Sequence, residues 1–270
     1  MILFTNGDSW TQGDSPAQTP NWEATKTEDW YDIVPNFGTL DIHDDIIYNL
    51  NKGNPDTRVL YKFYDSSVWP KVLGKKLNLE TWNAGRLGDS CHGIVNRTIQ
   101  SIEWLKKQGK NNIFAIIGWT SHLRVPFYYV DKDKIKSFQL RPGGCFEGIF
   151  KEIDFANVLR DKYSEPKSLL TTFIINIITL QNYFKVNNIE YLMFNAFNTY
   201  QDIDKHLLYD TIDKSRWVNC TVKPAHFKEF ILQKYNLPDW KESKYFVTMH
   251  PTDISHIAWG DYLYNYIQTL

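Results

Sequence analysis

The sequence predicts an α/β protein, a three-layer αβα sandwich around a central, mainly parallel sheet. Three observations lead there. Four short apolar runs read as strands buried on both faces: Ile2–Thr5, Glu80–Trp82, Ile113–Ile117 and Tyr191–Phe194. Segments with helical spacing separate them, and strand alternating with helix is the pattern of a parallel sheet covered on both sides. Each run also ends in a small or polar turn: Asn6-Gly7-Asp8, Asn83-Ala84-Gly85, Gly118-Trp119-Thr120 and Asn195-Ala196. Right-handed crossovers bring all four turns to one edge, where such sheets bind their ligands.

The helices follow in order. Ser67 is expected to cap one, with Pro70 in its first turn and its end near Leu77. Asp89 or Ser90 starts the next, with Ile94, Val95, Thr98, Ile102 and Leu105 along one face. Lys106-Lys107 and then Gly109 mark its end. A long helix covers about 168–186, with Leu169, Phe173, Ile177, Leu180 and Phe184 at helical spacing, and a last one about 252–269. Two stretches break the alternation, about 121–166 and about 201–244. Both read as insertions in one domain spanning 1–270, serving as lid, substrate wall or surface decoration.

Composition narrows the function. The 30 basic and 31 acidic residues nearly cancel, without a long run of one sign. Nucleic acid is therefore not an expected partner. No run of 18 apolar residues exists to span a membrane. Only Ile2-Leu3-Phe4 precedes polar residues after Met1, short of the roughly 7–15 apolar residues of a signal peptide, so none is expected. Cys91, Cys145 and Cys220 are odd in number and scattered, which favours free thiols over a disulfide framework or zinc site. His43-Asp44-Asp45 lacks further ligands at metal-binding spacing, so neither a metal nor another cofactor is expected. Aromatic residues, 16 % of the chain, supply either core or a wall on which sugars stack.

Gly7-Asp8-Ser9-Trp10 directly follows the first strand. A serine at a strand-to-helix turn presents its hydroxyl at the crevice. Its own N–H, at the helix start, can hold a developing oxyanion. Gly-Asp-Ser recurs at Gly13-Asp14-Ser15 and Gly88-Asp89-Ser90, but only the first copy follows a strand at the N-terminus. Asp8 is expected to fix the turn by accepting backbone N–H groups. A serine hydroxyl needs a base. His250-Pro251-Thr252-Asp253-Ile254-Ser255-His256 offers two histidines ahead of and within the last helix.

These blocks, in this order, resemble the SGNH/GDSL hydrolases and so imply the flavodoxin-like SGNH fold. The segments Trp82-Asn83-Ala84-Gly85, Ile117-Gly118-Trp119-Thr120-Ser121, Tyr191-Leu192-Met193-Phe194-Asn195-Ala196 and His250-Pro251-Thr252 are similar to those of tailed-phage proteins of that kind. The resemblance implies Ser9 as nucleophile and His250 as base, because the family's base precedes Pro-Ser/Thr. His256 is the alternative base, within Asp253-Ile254-Ser255-His256. It implies oxyanion donors at Ser9 and Gly88, with Gly85 as the neighbouring candidate. Thr120 stands where the family has asparagine. The family's acid, three residues before the base, is replaced by Val247, and Glu242 is eight residues back. Asp253 or a backbone carbonyl is left to orient the ring. Arg124 is a candidate for binding a carboxylate or phosphate of the substrate, or for a salt bridge.

The implied activity is ester hydrolysis through an acyl-enzyme, on a small-molecule or carbohydrate ester such as an O-acetyl group. The implied location is the host cytoplasm or, if the protein is viral, the virion. The two departures at Val247 and Thr120 leave a second reading open. In it the same fold has lost catalysis and serves as a virion or polysaccharide-binding component.

Overall fold

In a computed structural model, residues 1–12, 67–85, 89–131, 134–141, 144–145, 166–196, 200, 203–219, 223–239, 244–247 and 250–270 are described. Four parallel strands form the central sheet: β1 (Ile2–Asn6), β2 (Glu80–Asn83), β3 (Ile113–Trp119) and β7 (Glu190–Asn195). Their order is β2-β1-β3-β7, with β1 and β3 in the middle. Phe4 stands beside Trp82 on one side and Ala115 on the other, and Ala115 beside Tyr191. The three-layer arrangement expected from the sequence is observed.

Alternation along the strands divides the apolar side chains between two cores. Ile2, Phe4, Ala115, Ile117, Trp119, Tyr191 and Met193 face α3 (Cys91–Lys107) and α4 (Pro166–Val186). Leu3, Ile116, Leu192 and Phe194 face α2 (Trp69–Leu77), α5 (Phe227–Lys234) and α6 (Asp253–Ile267). A short helix α1 begins at Ser9 (Ser9–Gln12). Because both faces are covered, β1 is buried at every residue and shows no polar alternation.

Local sequence explains most boundaries. Ser90 caps α3 by accepting the N–H of Gly93, and Gly109 follows the helix at φ +79°. In α2 the expected cap is displaced: Val68, not Ser67, holds the N-cap position, with no side-chain bond. Val68 is wholly buried. Burying its side chain is worth roughly 1.5–3 kcal/mol, against about 1 kcal/mol for a hydroxyl cap. At the start of α6, Thr252 directs its hydroxyl not onto the helix but to the carbonyl of Lys244.

The two expected insertions differ in kind. After β3 come β4 (Val125–Asp131), β5 (Lys134–Arg141) and β6 (Gly144–Cys145), an antiparallel sheet apart from the central one. Residues 146–165 lie outside the described set. The stretch after β7 is more than decoration. Trp217 and His226 make single parallel bridges to Met193 and Asn195, carrying the sheet past β7. Tyr209, Ile212, Trp217, Val218, Phe227 and Ile231 enter the cores.

Among the described residues, the aromatic content goes mainly into packing: Trp10, Trp69, Trp119, Trp217 and Trp259 are all buried. Trp259 stacks on Phe227 at 4.9 Å and meets Phe194 edge-on at 5.1 Å. Next to it Gly260 lets α6 lie against α2, since a Cβ there would fall 2.8 Å from Val72 Cγ1. Trp259→Ala should therefore destabilise the protein by about 3–5 kcal/mol. Urea unfolding checks this, as a lowered midpoint at unchanged slope.

Candidate active site

The end of β1 is held on several sides. Asn6 donates Nδ2 to the carbonyl of Ile94 (3.0 Å) and to Thr98 Oγ1 (2.9 Å), fastening the strand end to α3. Its Oδ1 accepts the Gly7 N–H at 2.8 Å. Gly7 has no alternative, because a Cβ would lie 2.7 Å from the carbonyl oxygen of Gly118. Asp8 then accepts the Trp10 N–H on Oδ1 (3.0 Å) and the Thr11 N–H on its carbonyl (2.9 Å). This is the turn-fixing role expected of it. Ser9 follows, 2 % exposed.

His250 reaches Ser9 from the far end of the chain. It opens β9 (His250–Pro251), which pairs antiparallel with β8 (Phe246–Val247). Thr252 N and Ser255 Oγ both donate to the Tyr245 carbonyl, at 2.9 and 2.8 Å, anchoring this hairpin to the start of α6. His250 Nε2 lies 2.9 Å from Ser9 Oγ. With Nε2 bare, the serine hydroxyl donates to it.

The other acid and base candidates stand differently. Val247 pairs with His250 in the register of β8 and β9. Asp253 Oδ1 accepts the N–H of Ile254 at 2.8 Å, within its own helix turn. His256 does not approach Ser9. It is fully buried, and its Nδ1 accepts the Trp69 N–H at 3.3 Å, at the first turn of α2. Its Nε2 has no hydrogen-bond partner. Burial, and then the neighbouring His250, push its pKa down to about 3. His256 is a neutral brace between α6 and α2.

Behind Ser9 lies a buried ionic cluster. Asp8, with no exposure, receives the Thr120 hydroxyl on Oδ2 at 2.7 Å and Arg124 Nη1 at 3.1 Å. Arg124 Nη1 also donates to the Asp89 carbonyl at 3.0 Å. The Asp89 carboxylate is bound by Arg97 through Nη2 (2.7 Å) and Nε (3.2 Å), and accepts the Ser90 N–H at 2.9 Å. Tyr200 donates its hydroxyl to the Thr120 carbonyl at 2.6 Å, and the buried Cys91 thiol approaches the same oxygen at 3.5 Å.

Two of the expected oxyanion donors are engaged elsewhere. Thr120 gives its hydroxyl proton to Asp8. Gly85 gives its N–H to Asn83 Oδ1 at 3.0 Å. Arg124 forms the salt bridge that was one of its two expected roles, with Asp8, its side chain 11 % exposed. Gly88, Cys220, His43, Asp44 and Asp45 lie outside the described residues. The sequence reading missed Asn6, Asn83 and the Asp89–Arg97 pair. An asparagine closing each of β1 and β2 was the available signal, since a buried strand end must satisfy its polar groups locally.

The His256 environment has a pH consequence. Its folded pKa of about 3 lies below the ordinary 6.5, so falling pH protonates the unfolded chain first. The stability it contributes is full above pH 6.5 and is lost as pH falls towards 3. In His256→Asn, whose Oδ1 can stand where Nδ1 did, this loss disappears. The native protein should lose stability relative to the variant by about 1.4 kcal/mol per pH unit between about pH 6 and 4. Urea titrations at several pH values measure it.

Known structures with a similar fold include a protein described as lipolytic, of the G-D-S-L family, from Desulfitobacterium hafniense DCB-2. It is 11% identical with a TM-score of 0.39, covering 98% of each chain. Another is a carbohydrate esterase whose active site is described as displaying divergent catalytic and non-catalytic binding functions. It is 11% identical with a TM-score of 0.45, over 100% of this chain and 65% of that one. A third is the acetyl xylan esterase AlAXEase, 12% identical with a TM-score of 0.41, over 99% and 100% of the two chains. A search of curated proteins finds no significant match. The model of DUF6071, a family of unknown function, matches residues 49–226, well over half of the sequence, and the chain belongs to that family.

Proposed function

We propose that the protein is a serine ester hydrolase acting through an acyl-enzyme, with an O-acyl carbohydrate as substrate. The observation that carries this reading is the 2.9 Å separation of Ser9 Oγ and His250 Nε2 at the sheet edge. A serine hydroxyl becomes a useful nucleophile when a base stands within hydrogen-bond reach. Ser9 Oγ attacks the acyl carbon while His250 Nε2 takes its proton. The N–H groups of Ser9 and Gly88 receive the oxyanion. The acyl–oxygen bond to the leaving alcohol breaks as His250 returns the proton to that alcohol. Water, deprotonated by the same nitrogen, then cleaves the acyl-enzyme.

The carbohydrate ester follows from the motif resemblance and from the near-neutral charge of the chain, which favours an uncharged substrate. A second reading has its own support. Val247 holds the sequence position of the family's acid, and the Thr120 hydroxyl is committed to Asp8 where the family has a side-chain oxyanion donor. A missing side-chain donor typically lowers the rate about 10²–10³-fold. In that reading the crevice binds a polysaccharide without cleaving it.

Labelling by a fluorophosphonate, alongside hydrolysis of a short-chain nitrophenyl ester, separates the two. Labelling of the native chain that vanishes in Ser9→Ala and falls at least about 10³-fold in His250→Ala supports the hydrolase. A folded native chain that neither labels nor hydrolyses the ester leaves the binding reading, to be followed with glycan arrays.

A further inference from the structure

We propose that Arg124 is a positioning residue for the Ser9 reaction, holding the turn that carries Ser9 against the start of α3. The inference rests on Ser9 being the nucleophile. One nitrogen, Nη1, bonds both Asp8 Oδ2 at 3.1 Å and the Asp89 carbonyl at 3.0 Å. Asp8 immediately precedes Ser9, and Asp89 immediately follows Gly88. Arg124 itself belongs to the segment after β3, where its N–H closes a turn on the Ser121 carbonyl at 3.2 Å. A single guanidinium thus joins the Ser9 turn, the start of α3 and the segment after β3.

Both ends of this tie are rigid. Asp8 has no exposure and is also gripped by Thr120 Oγ1 and the Trp10 N–H. Asp89 is 3 % exposed and locked by Arg97 and the Ser90 N–H. Displacing the guanidinium would free the Asp8 and Asp89 turns to move relative to each other. A shift of about 1 Å in a reacting group costs on the order of 10²-fold in rate. Lysine cannot substitute well, because its ammonium sits on a flexible stem that ends one bond short of the Nη1 position.

The test follows fluorophosphonate labelling of Ser9 as a function of probe concentration, giving a maximal rate and a half-saturating concentration. In Arg124→Lys the maximal rate should fall about 10²-fold with the half-saturating concentration unchanged. In Arg124→Ala, millimolar guanidinium should restore part of the lost rate, and should restore nothing in Arg124→Lys. Asp8→Asn keeps the shape at the other end of the tie while removing its charge, and should lower the maximal rate in the same way. It serves as the second probe where an Arg124 variant does not fold.

A folded Arg124→Lys that labels at the native rate overturns the inference. So does a raised half-saturating concentration at unchanged maximal rate, which would mean that Arg124 touches the ligand. A native chain that does not label at all removes the nucleophile assignment, and the positioning role with it.

Discussion

The carboxylate of Asp8 lies wholly out of water, and much of the surrounding structure is arranged to make that tolerable. An isolated ion in such a place would cost several kcal/mol or shed its charge. Here it receives a hydroxyl from the end of β3, a guanidinium from the following turn, and a backbone N–H from the residue after Ser9. Each donor comes from a segment that is itself tied down. Thr120 is held through its carbonyl by Tyr200, and Arg124 reaches the Asp89 turn, which Arg97 secures from α3. The charge is thus a constraint on several elements at once. A shift in any one of them would leave a buried group unmatched.

This accounts for how Thr120 and Arg124 are used. A side chain with one proton cannot serve both a neighbouring carboxylate and an incoming oxyanion. The position that asparagine fills in the SGNH pattern is committed here to the scaffold. On the proposed reading, the groups facing a substrate are Ser9, His250 and backbone N–H groups, and the precision of the backbone matters correspondingly more. His256 contributes from the opposite side by receiving the first N–H of α2, so that the helix carrying it and the sheet beneath Ser9 share one packing arrangement.

The sheet was legible because strands buried on both faces are written as apolar runs, and the turns after them as small or polar residues. Ser9 follows a strand and His250 precedes a helix, which points both to one edge, but the choice of these two residues came from the SGNH/GDSL motif order. The choice between His250 and His256 needed more than spacing. Helical periodicity aims His256 inward, towards Phe227 and Trp69. The cap of α2 was misplaced because burial of Val68 outweighed the hydroxyl of Ser67. The Asp8–Arg124 and Asp89–Arg97 pairs were illegible, since an ion pair leaves no periodic trace and Asp8 and Arg124 are 116 residues apart.

The Ser9–His250 contact joins residues 241 positions apart. During synthesis, at about 5–20 residues per second, the serine emerges roughly 10–50 s before its histidine is made. Throughout that interval the hydroxyl has no base, whatever else has folded around it. On the proposed reading, activation of the hydroxyl waits on the segment that carries His250, so the serine becomes reactive only once that segment has folded against it.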